Sequence, residues 1–337
     1  MKRYLGIDLH KDKFTVCYLD QQDKKVIKEF KLISLPRFKK TLNQEDEIAV
    51  EAVTNSRYFC EELLTLVEKL VLVAPGNFKV ISQSSKKTDK KDAETLAEFL
   101  KMGKLPEARI MNKQQAYIKS LLNTRDKFVK QRTQCKNKIH NILSSLGIPY
   151  DKNKIFTQKG FKNLRTMNFD PLVEVEIELL VKHIEYLNES ISKIDAELKK
   201  PDNQLPGHKN LISITGIGDI SASIFLSAIG SIEDFPDKKK LNAYFGVIPT
   251  VRQSNNTTHY GRITKRGNRL VRAALVQCTL IIIKYNPILR EFYLRLKMRK
   301  GSGKAIVATS RKLLELIYLT LSNNIIWEDS NYAIIKS

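Results

Sequence analysis

From Val173 to Leu198 the residues Val173, Ile177, Leu180, Ile184, Leu187, Ile191, Ile194 and Leu198 alternate between spacings of four and three. A strand repeats every second residue and cannot gather that series on one face, so residues 172–198 must form a long helix with a heptad seam. Such a seam needs a cover. Apolar residues at 118, 121, 128, 135, 139, 142 and 146 describe a second long helix, from about Lys113 to Leu146, whose seam also contains Arg125 and Arg132. A polar, lysine-containing stretch, residues 148–170, joins the two. The simplest arrangement is a long antiparallel helical pair, a coiled-coil-like linker protruding between two domains. Homo-oligomerisation through the second helix is the competing use.

Before the pair the period is different. "RYLGIDL", "KFTVCYLD" and "KKVIKEFKL" are short β-rich runs separated by polar breaks, which predicts three consecutive antiparallel strands. "EIAVEAV" reads as a fourth strand, "SRYFCEELLTLVEKL" as an amphipathic helix, "LVLVAP" as a fifth strand, and a further helix begins near Lys90. This order describes an α/β domain over residues 1–105. The helical pair occupies residues 106–203, and a mostly α-helical domain covers residues 204–337, with one irregular segment from Pro249 to Gly267.

The net charge of +22 is concentrated. Residues 101–160 hold 14 Lys/Arg against 3 Asp/Glu and residues 251–304 hold 13 against 1, while all other residues together come to −1. Positive charge gathered into two segments is what a polyanionic partner asks for, and nucleic acid is the expected one, ahead of an acidic membrane surface or a merely solvated face. The four cysteines, Cys17, Cys60, Cys135 and Cys278, lie far apart with no C-x-x-C pair, which indicates neither a zinc site nor a disulfide framework. A reducing, cytoplasmic setting is expected. The apolar stretch "AALVQCTLIII" is about half the length of a membrane helix, so no membrane association is expected.

Four carboxylates then come into one frame. Asp8 lies in the first strand and Glu51 in the fourth, the latter flanked by apolar residues that would bury it unless a cation met it. Asp89 and Asp92, in "KTDKKDAETLAEFL", share one helical face. Two acidic strand residues and an acidic helical turn make the oxygen-ligand set of two Mg²⁺ or Mn²⁺ ions about 4 Å apart. The plainer reading is that Asp89 and Asp92 charge the first turn of a helix, where acids are favoured. A sugar-kinase or actin-like domain, whose first strand also ends in "GID", would need glycines in the next turn, where this chain has "LHKDK".

Taken together, "YLGIDLHKDKF" with Asp8, "AVEAVTNS" with Glu51 and "KTDKKDAETLAEFL" with Asp89 and Asp92 resemble, in order and spacing, the three motifs of the DEDD-type insertion-sequence transposases, the bridge recombinases. "LISITGIGDISASIFLSAIGSIEDF" and "LNAYFGVIPTVRQSNNTTHYGRITKRGNRLVRAAL" look like that family's C-terminal domain. The resemblance implies a RuvC-like, RNase H-like N-terminal domain and a metal-assisted DNA recombinase acting on donor and target DNA. It further implies a dimer or tetramer and a non-coding guide RNA. The basic segment containing Lys127, Lys130, Arg132, Lys136 and Lys138 would be a natural surface for the RNA backbone.

In "TGIGDISASI", Gly216 and Gly218 could let backbone N–H groups approach a phosphate, as in helix-hairpin-helix modules, or could mark a plain turn between helices. From Arg252 to Arg272 the chain carries six basic and no acidic residues: Arg252, Arg262, Lys265, Arg266, Arg269 and Arg272. Hydroxyls in this segment include Ser254, Thr258 and Tyr260, and the residues alone do not choose among them. The resemblance does, because the family's nucleophilic serine stands five residues after the motif's proline, which is Ser254 after Pro249. Where the family usually follows that serine with glycine, this chain has Asn255. Two other readings stay open, a RuvC-like Mg²⁺-dependent junction nuclease using water and a non-catalytic nucleic-acid scaffold.

Overall fold

The computed structural model describes residues 2–74, 88–254 and 257–328, and of Ser254 the backbone alone. The chain forms two compact units, Met1–Asn112 and Lys113–Ser337.

In the first unit, β1 (Tyr4–Leu9), β2 (Lys13–Leu19) and β3 (Lys25–Lys31) form the expected antiparallel run. After a short helix α1 (Leu35–Lys39), β4 (Glu47–Glu51) returns parallel to β1. Helix α2 (Ser56–Glu61) leads to β5 (Lys69–Val73), parallel to β4. Helix α3 (Asp89–Lys101) precedes the two-residue β6 (Glu107–Ala108), and the mixed sheet has the order β3-β2-β1-β4-β5-β6. The helix expected over "SRYFCEELLTLVEKL" is cut to six residues. Beyond it the chain closes on tight turns, with Leu63 N–H donating to the Cys60 carbonyl and Leu66 N–H to that of Leu63, because Lys69 and Leu70 already belong to β5.

Strand alternation separates two cores. Leu5, Ile7 and Leu9 join Phe14, Val16, Ile48, Val50 and Phe59 on one face, where the Phe14 ring meets Phe38 and Phe59 edge-on at 5.1 and 4.9 Å. The other face carries α3, whose Ala93, Leu96, Ala97 and Leu100 meet Cys17, Leu19, Ala49, Val71 and Val73. Gly6 lies under this helix. A Cβ there would stand 2.0 Å from the Ala93 carbonyl oxygen and 2.4 Å from the Ala97 nitrogen.

The second unit begins with α4 (Lys113–Ser145), and α6 (Pro171–Lys199) runs back along it. Ile177, Val181, Ile184, Leu187, Ile191, Ile194 and Leu198 are buried, so the heptad seam is covered within the chain. Arg125 and Arg132, the cations in the other seam, find polar partners across it. Arg125 makes a two-pronged contact with Asp195 at 2.5 and 3.0 Å, and Arg132 donates to the Asn188 side chain at 2.8 Å. The connecting stretch, read from sequence as polar, holds a helix α5 (Gln158–Thr166) whose Phe161 and Leu164 join Ile155, Ile139, Leu143 and Ile177 in a small core. At the opposite end Ile118, Leu122, Ile194 and Leu198 merge into the core of α7 (His208–Ile212), α8 (Asp219–Ile229) and α9 (Lys238–Tyr244). The segment expected to be irregular is a hairpin of β7 (Pro249–Ser254) and β8 (Thr257–Ile263). Three helices follow: α10 (Arg269–Tyr285), α11 (Pro287–Lys300) and α12 (Ser302–Ser322).

The Gly6 contact has a measurable consequence. Gly6→Ala drives a methyl into helix backbone and is expected to lower stability by about 3 kcal/mol, read as a lower urea midpoint. Gly303→Ala, at a helical position with open space around it, is the control and should be neutral or stabilising by about 0.5–1 kcal/mol.

Candidate functional site

Ile7 pairs with Val50 across the parallel strands β1 and β4, so Asp8 and Glu51, one residue further on each strand, stand side by side at the same end of the sheet and on the face that carries α3. The seating of α3 over Gly6 brings its first turn to this end. Thr88 caps the helix by accepting from Lys91 N–H, so Asp89 and Asp92 are not needed as caps. Asp8 and Asp92 are buried, each 4% exposed. Glu51, expected to be buried by its neighbours, is only half-buried, because as the last residue of β4 it lies at the open end of the strand.

The side chains meet through the β1–β2 turn. His10 Nε2 lies 3.2 Å from an Asp8 carboxylate oxygen and 3.3 Å from one of Asp89. Lys13 Nζ lies 3.0 Å from the other Asp89 oxygen and 3.2 Å from Glu29. Burial pushes the Asp8 carboxyl up to about 6, and the negative fields of Asp89, Glu51 and Asp92 push the same way against the opposing pull of His10. Asp89 is held below the usual carboxylate range, chiefly by its hydrogen bond from Lys13 and further by His10. Three carboxylates are therefore felt at the fourth, Asp8, while Asp8, His10 and Asp89 form a set whose ligand atoms lie within 4.8 Å of one another. The sequence reading missed His10 and Lys13. Their signal was the turn immediately after Asp8, weighed there only for its lack of glycine.

In the second unit, Ser254 ends β7 and is the register partner of Thr257; its side chain and Asn255 lie outside the described residues. The hairpin is exposed from Thr250 to Gln253 and from Thr257 to Arg262, with Tyr260 73% exposed and Arg252 the register partner of His259. Arg262, Lys265, Arg266 and Arg269 are exposed too, at or beyond the end of β8. Arg272 is turned inward, one guanidinium nitrogen donating to the carbonyls of Phe245, Arg266 and Gly267. Gly216 has a φ of 97°, and a Cβ there would press on the α10 backbone at 3.2 Å from the Cys278 oxygen, so close packing requires it. Gly218 precedes α8 with open space around it.

Along α4, Lys127 is exposed and Lys130 pairs with Asp126. Lys138 lies 3.0 Å from Glu176, and the Lys136 ammonium sits 4.8 Å above the Phe156 ring. Exposed pairs of this kind are weak, and a polyanion can compete for them. Among the described residues no helix is long and apolar enough to cross a membrane.

Comparison with known proteins adds a second line of observation. Residues 5–148 match a family described as Transposase, of the DEDD, IS110 type, and residues 208–294 match the Transposase IS116/IS110/IS902 family. The chain is 23% identical over 334 residues to the transposase for insertion sequence element IS1111A of Coxiella burnetii, covering 95% of this chain and 90% of the relative. It is 24% identical to the transposase for IS1328 of Yersinia enterocolitica, covering 83% of this chain and 84% of the relative. A probable family 20 transposase of Pseudomonas aeruginosa is 23% identical, covering 94% of this chain and 96% of the relative.

The raised Asp8 carboxyl makes a prediction about stability. Its folded value of about 6 exceeds the ordinary 3.8, so its contribution is fully present below about pH 4 and is lost as pH rises through about 6. In excess chelator at pH 7.5, Asp8→Asn is expected to be more stable than the parent by about 1–2 kcal/mol, allowing for solvent screening. Thermal unfolding curves of the two proteins should converge below pH 4.

Proposed function

The chain belongs to the DEDD-type insertion-sequence transposases of the IS110 kind, and from that premise we propose that it cleaves and rejoins DNA through a serine–phosphate link at Ser254, assisted by metal held by Asp8, Glu51, Asp89 and Asp92. The observation that carries the metal half is the convergence of three carboxylate fields, those of Asp89, Glu51 and Asp92, on the buried carboxylate of Asp8. The donor set fits a hard divalent cation, because carboxylate oxygens are what Mg²⁺ and Mn²⁺ take and a cation would offset both the burial of the Asp8 carboxylate and the repulsion from its neighbours. Two such ions, when bound, would supply activation of a nucleophile and stabilisation of a leaving oxygen. The sheet, read as RNase H-like and specifically RuvC-like, places two strand carboxylates and a helical turn at one end, which supports the same assignment.

The chain's own residues do the rest. The Ser254 hydroxyl attacks phosphorus, the Ser254 oxygen–phosphorus bond forms, and one strand oxygen leaves and takes up a proton. A strand hydroxyl of the new partner then attacks the same phosphorus, restoring Ser254 and joining the strands without net hydrolysis. Arg252, Arg262, Lys265, Arg266 and Arg269 neutralise the phosphate, and the exposure of the hairpin suits contact with donor and target DNA. Lys127, Lys130, Arg132, Lys136 and Lys138 of α4 contact the backbone of a guide RNA in this reading. A homodimer or tetramer is supported by a second apolar stripe on α6, where Leu172, Val175, Leu179 and Tyr186 are 83, 60, 62 and 61% exposed.

Covalent capture tests the mechanism. With Mg²⁺ or Mn²⁺ and element-end DNA, the parent protein should yield a protein–DNA adduct that survives denaturation, Ser254→Ala should lose it while still binding DNA, and Tyr260→Phe should keep it. Asp92→Asn should abolish strand cleavage with the fold intact. Cleavage without any adduct would instead assign a water-using nuclease, and an adduct lost only in Tyr260→Phe would move the nucleophile to Tyr260. Binding gives a separate check: removing Lys127, Lys130 and Lys138 together should flatten the log–log salt dependence of RNA binding by about one unit per lost phosphate contact.

A further inference from the structure

His10 is held in place more firmly than a side chain on an exposed turn requires. Its backbone N–H donates to the Lys13 carbonyl at 2.9 Å, and its carbonyl accepts from the Asn55 side chain at 3.0 Å. The turn after β1 is thus tied to the loop after β4, and the imidazole projects between the carboxylates of Asp8 and Asp89. Nε2 carries one hydrogen or one lone pair. A single hydrogen at 3.2 and 3.3 Å can only be shared as a long three-centre bond, whereas a lone pair and two carboxylate oxygens can all face one ion. The spacing agrees with that use: neighbouring ligand atoms of an octahedral ion, each about 2.1 Å from it, lie about 3.0 Å apart. A second polar group waits on the same face. Thr15, the register partner of Asp8, is 1% exposed, and its hydroxyl finds no hydrogen-bond partner among the described residues.

We propose that His10 is itself a metal ligand, its Nε2 completing the carboxylate set, and that this nitrogen makes the site prefer Mn²⁺ to Mg²⁺. The inference rests on the metal reading above and adds a residue and a selectivity to it. Mg²⁺ is a hard ion that keeps oxygen ligands and gives up its waters reluctantly, so replacing a water by imidazole gains it little. Mn²⁺, though the first and weakest of the first-row transition series, accepts an imidazole nitrogen beside carboxylate oxygens more readily than Mg²⁺ does. Lys13 assists by gripping the outer oxygen of Asp89, which leaves the other oxygen turned toward His10.

The experiment is a titration of the full-length, chelator-stripped protein with Mn²⁺ followed by electron paramagnetic resonance, with Mg²⁺ as competitor, on the parent and on His10→Ala. The parent should show a nitrogen-14 coupling to Mn²⁺. In His10→Ala that coupling should vanish, Mn²⁺ affinity should fall about tenfold or more, Mg²⁺ affinity should change less than about threefold, and added imidazole should restore part of the loss. Circular dichroism confirms that the variant folds, as the 47% exposure of the His10 side chain leads one to expect. Unchanged or increased Mn²⁺ affinity in the variant, or equal losses for both metals, overturns the role of His10 while leaving the carboxylate site standing. Failure of the parent protein to bind Mn²⁺ or Mg²⁺ overturns the metal site and the role of His10 with it.

Discussion

At Gly6 a helix backbone rests directly on a strand, closer than any other residue type would allow. The small side chains of Ala93, Ala97 and Ala49 extend that close approach along the sheet, so the position of α3 is set by hard contact on both sides. What the contact delivers is the first turn of α3. Asp89 and Asp92 come to the end of β1, and the positive end of the helix dipole comes with them. That partial charge, with the Lys13 ammonium on Asp89, offsets part of the repulsion among the carboxylates gathered there. The Phe14 cluster on the far face supplies ordinary hydrophobic stability, and the Gly6 face supplies geometry.

The second unit divides its labour differently. Its long helices share an apolar seam that keeps buried Leu187 and Ile191 at its middle, and beside these Arg125 meets Asp195 and Arg132 meets Asn188. Apolar seams tolerate sliding by a turn; paired polar groups do so less well, because a slipped register would leave a half-buried guanidinium without its partner. The hairpin follows the opposite rule. Its described residues form no buried face, and most of their side chains point to solvent.

Legibility in the sequence followed burial. Strands with one or two buried faces, such as "YLGIDL" and "EIAVE", carried their pattern openly, as did the seam of α6 and the start of α3. The β7–β8 hairpin did not, because strands exposed on both faces need no alternation, and only its threonines, valine and isoleucine hinted at extended backbone. Helix α5 was hidden for a related reason: Ile155, Phe161 and Leu164 are scattered among polar residues, and a helix of nine residues forms only against a neighbour. Of the candidate metal site, the carboxylates were legible as motifs, whereas His10 and Lys13 depended on how a three-residue turn folds back over the end of the sheet. No periodicity encodes that.

The helical pair has a mechanical side. At 33 residues, α4 is about 50 Å long, rooted at one end in the large C-terminal core and ending at the other in a separate small one. Two cores joined by a stiff rod make a lever. A rotation of about 5° at the root sweeps the far end through roughly 4 Å over that length, about the width of a side chain. Whatever grips the α5 end thus has a long arm on the root where α4 packs against α8, and a slight repacking of the large core is amplified into a displacement at the far end that a bound partner would feel as a change of fit.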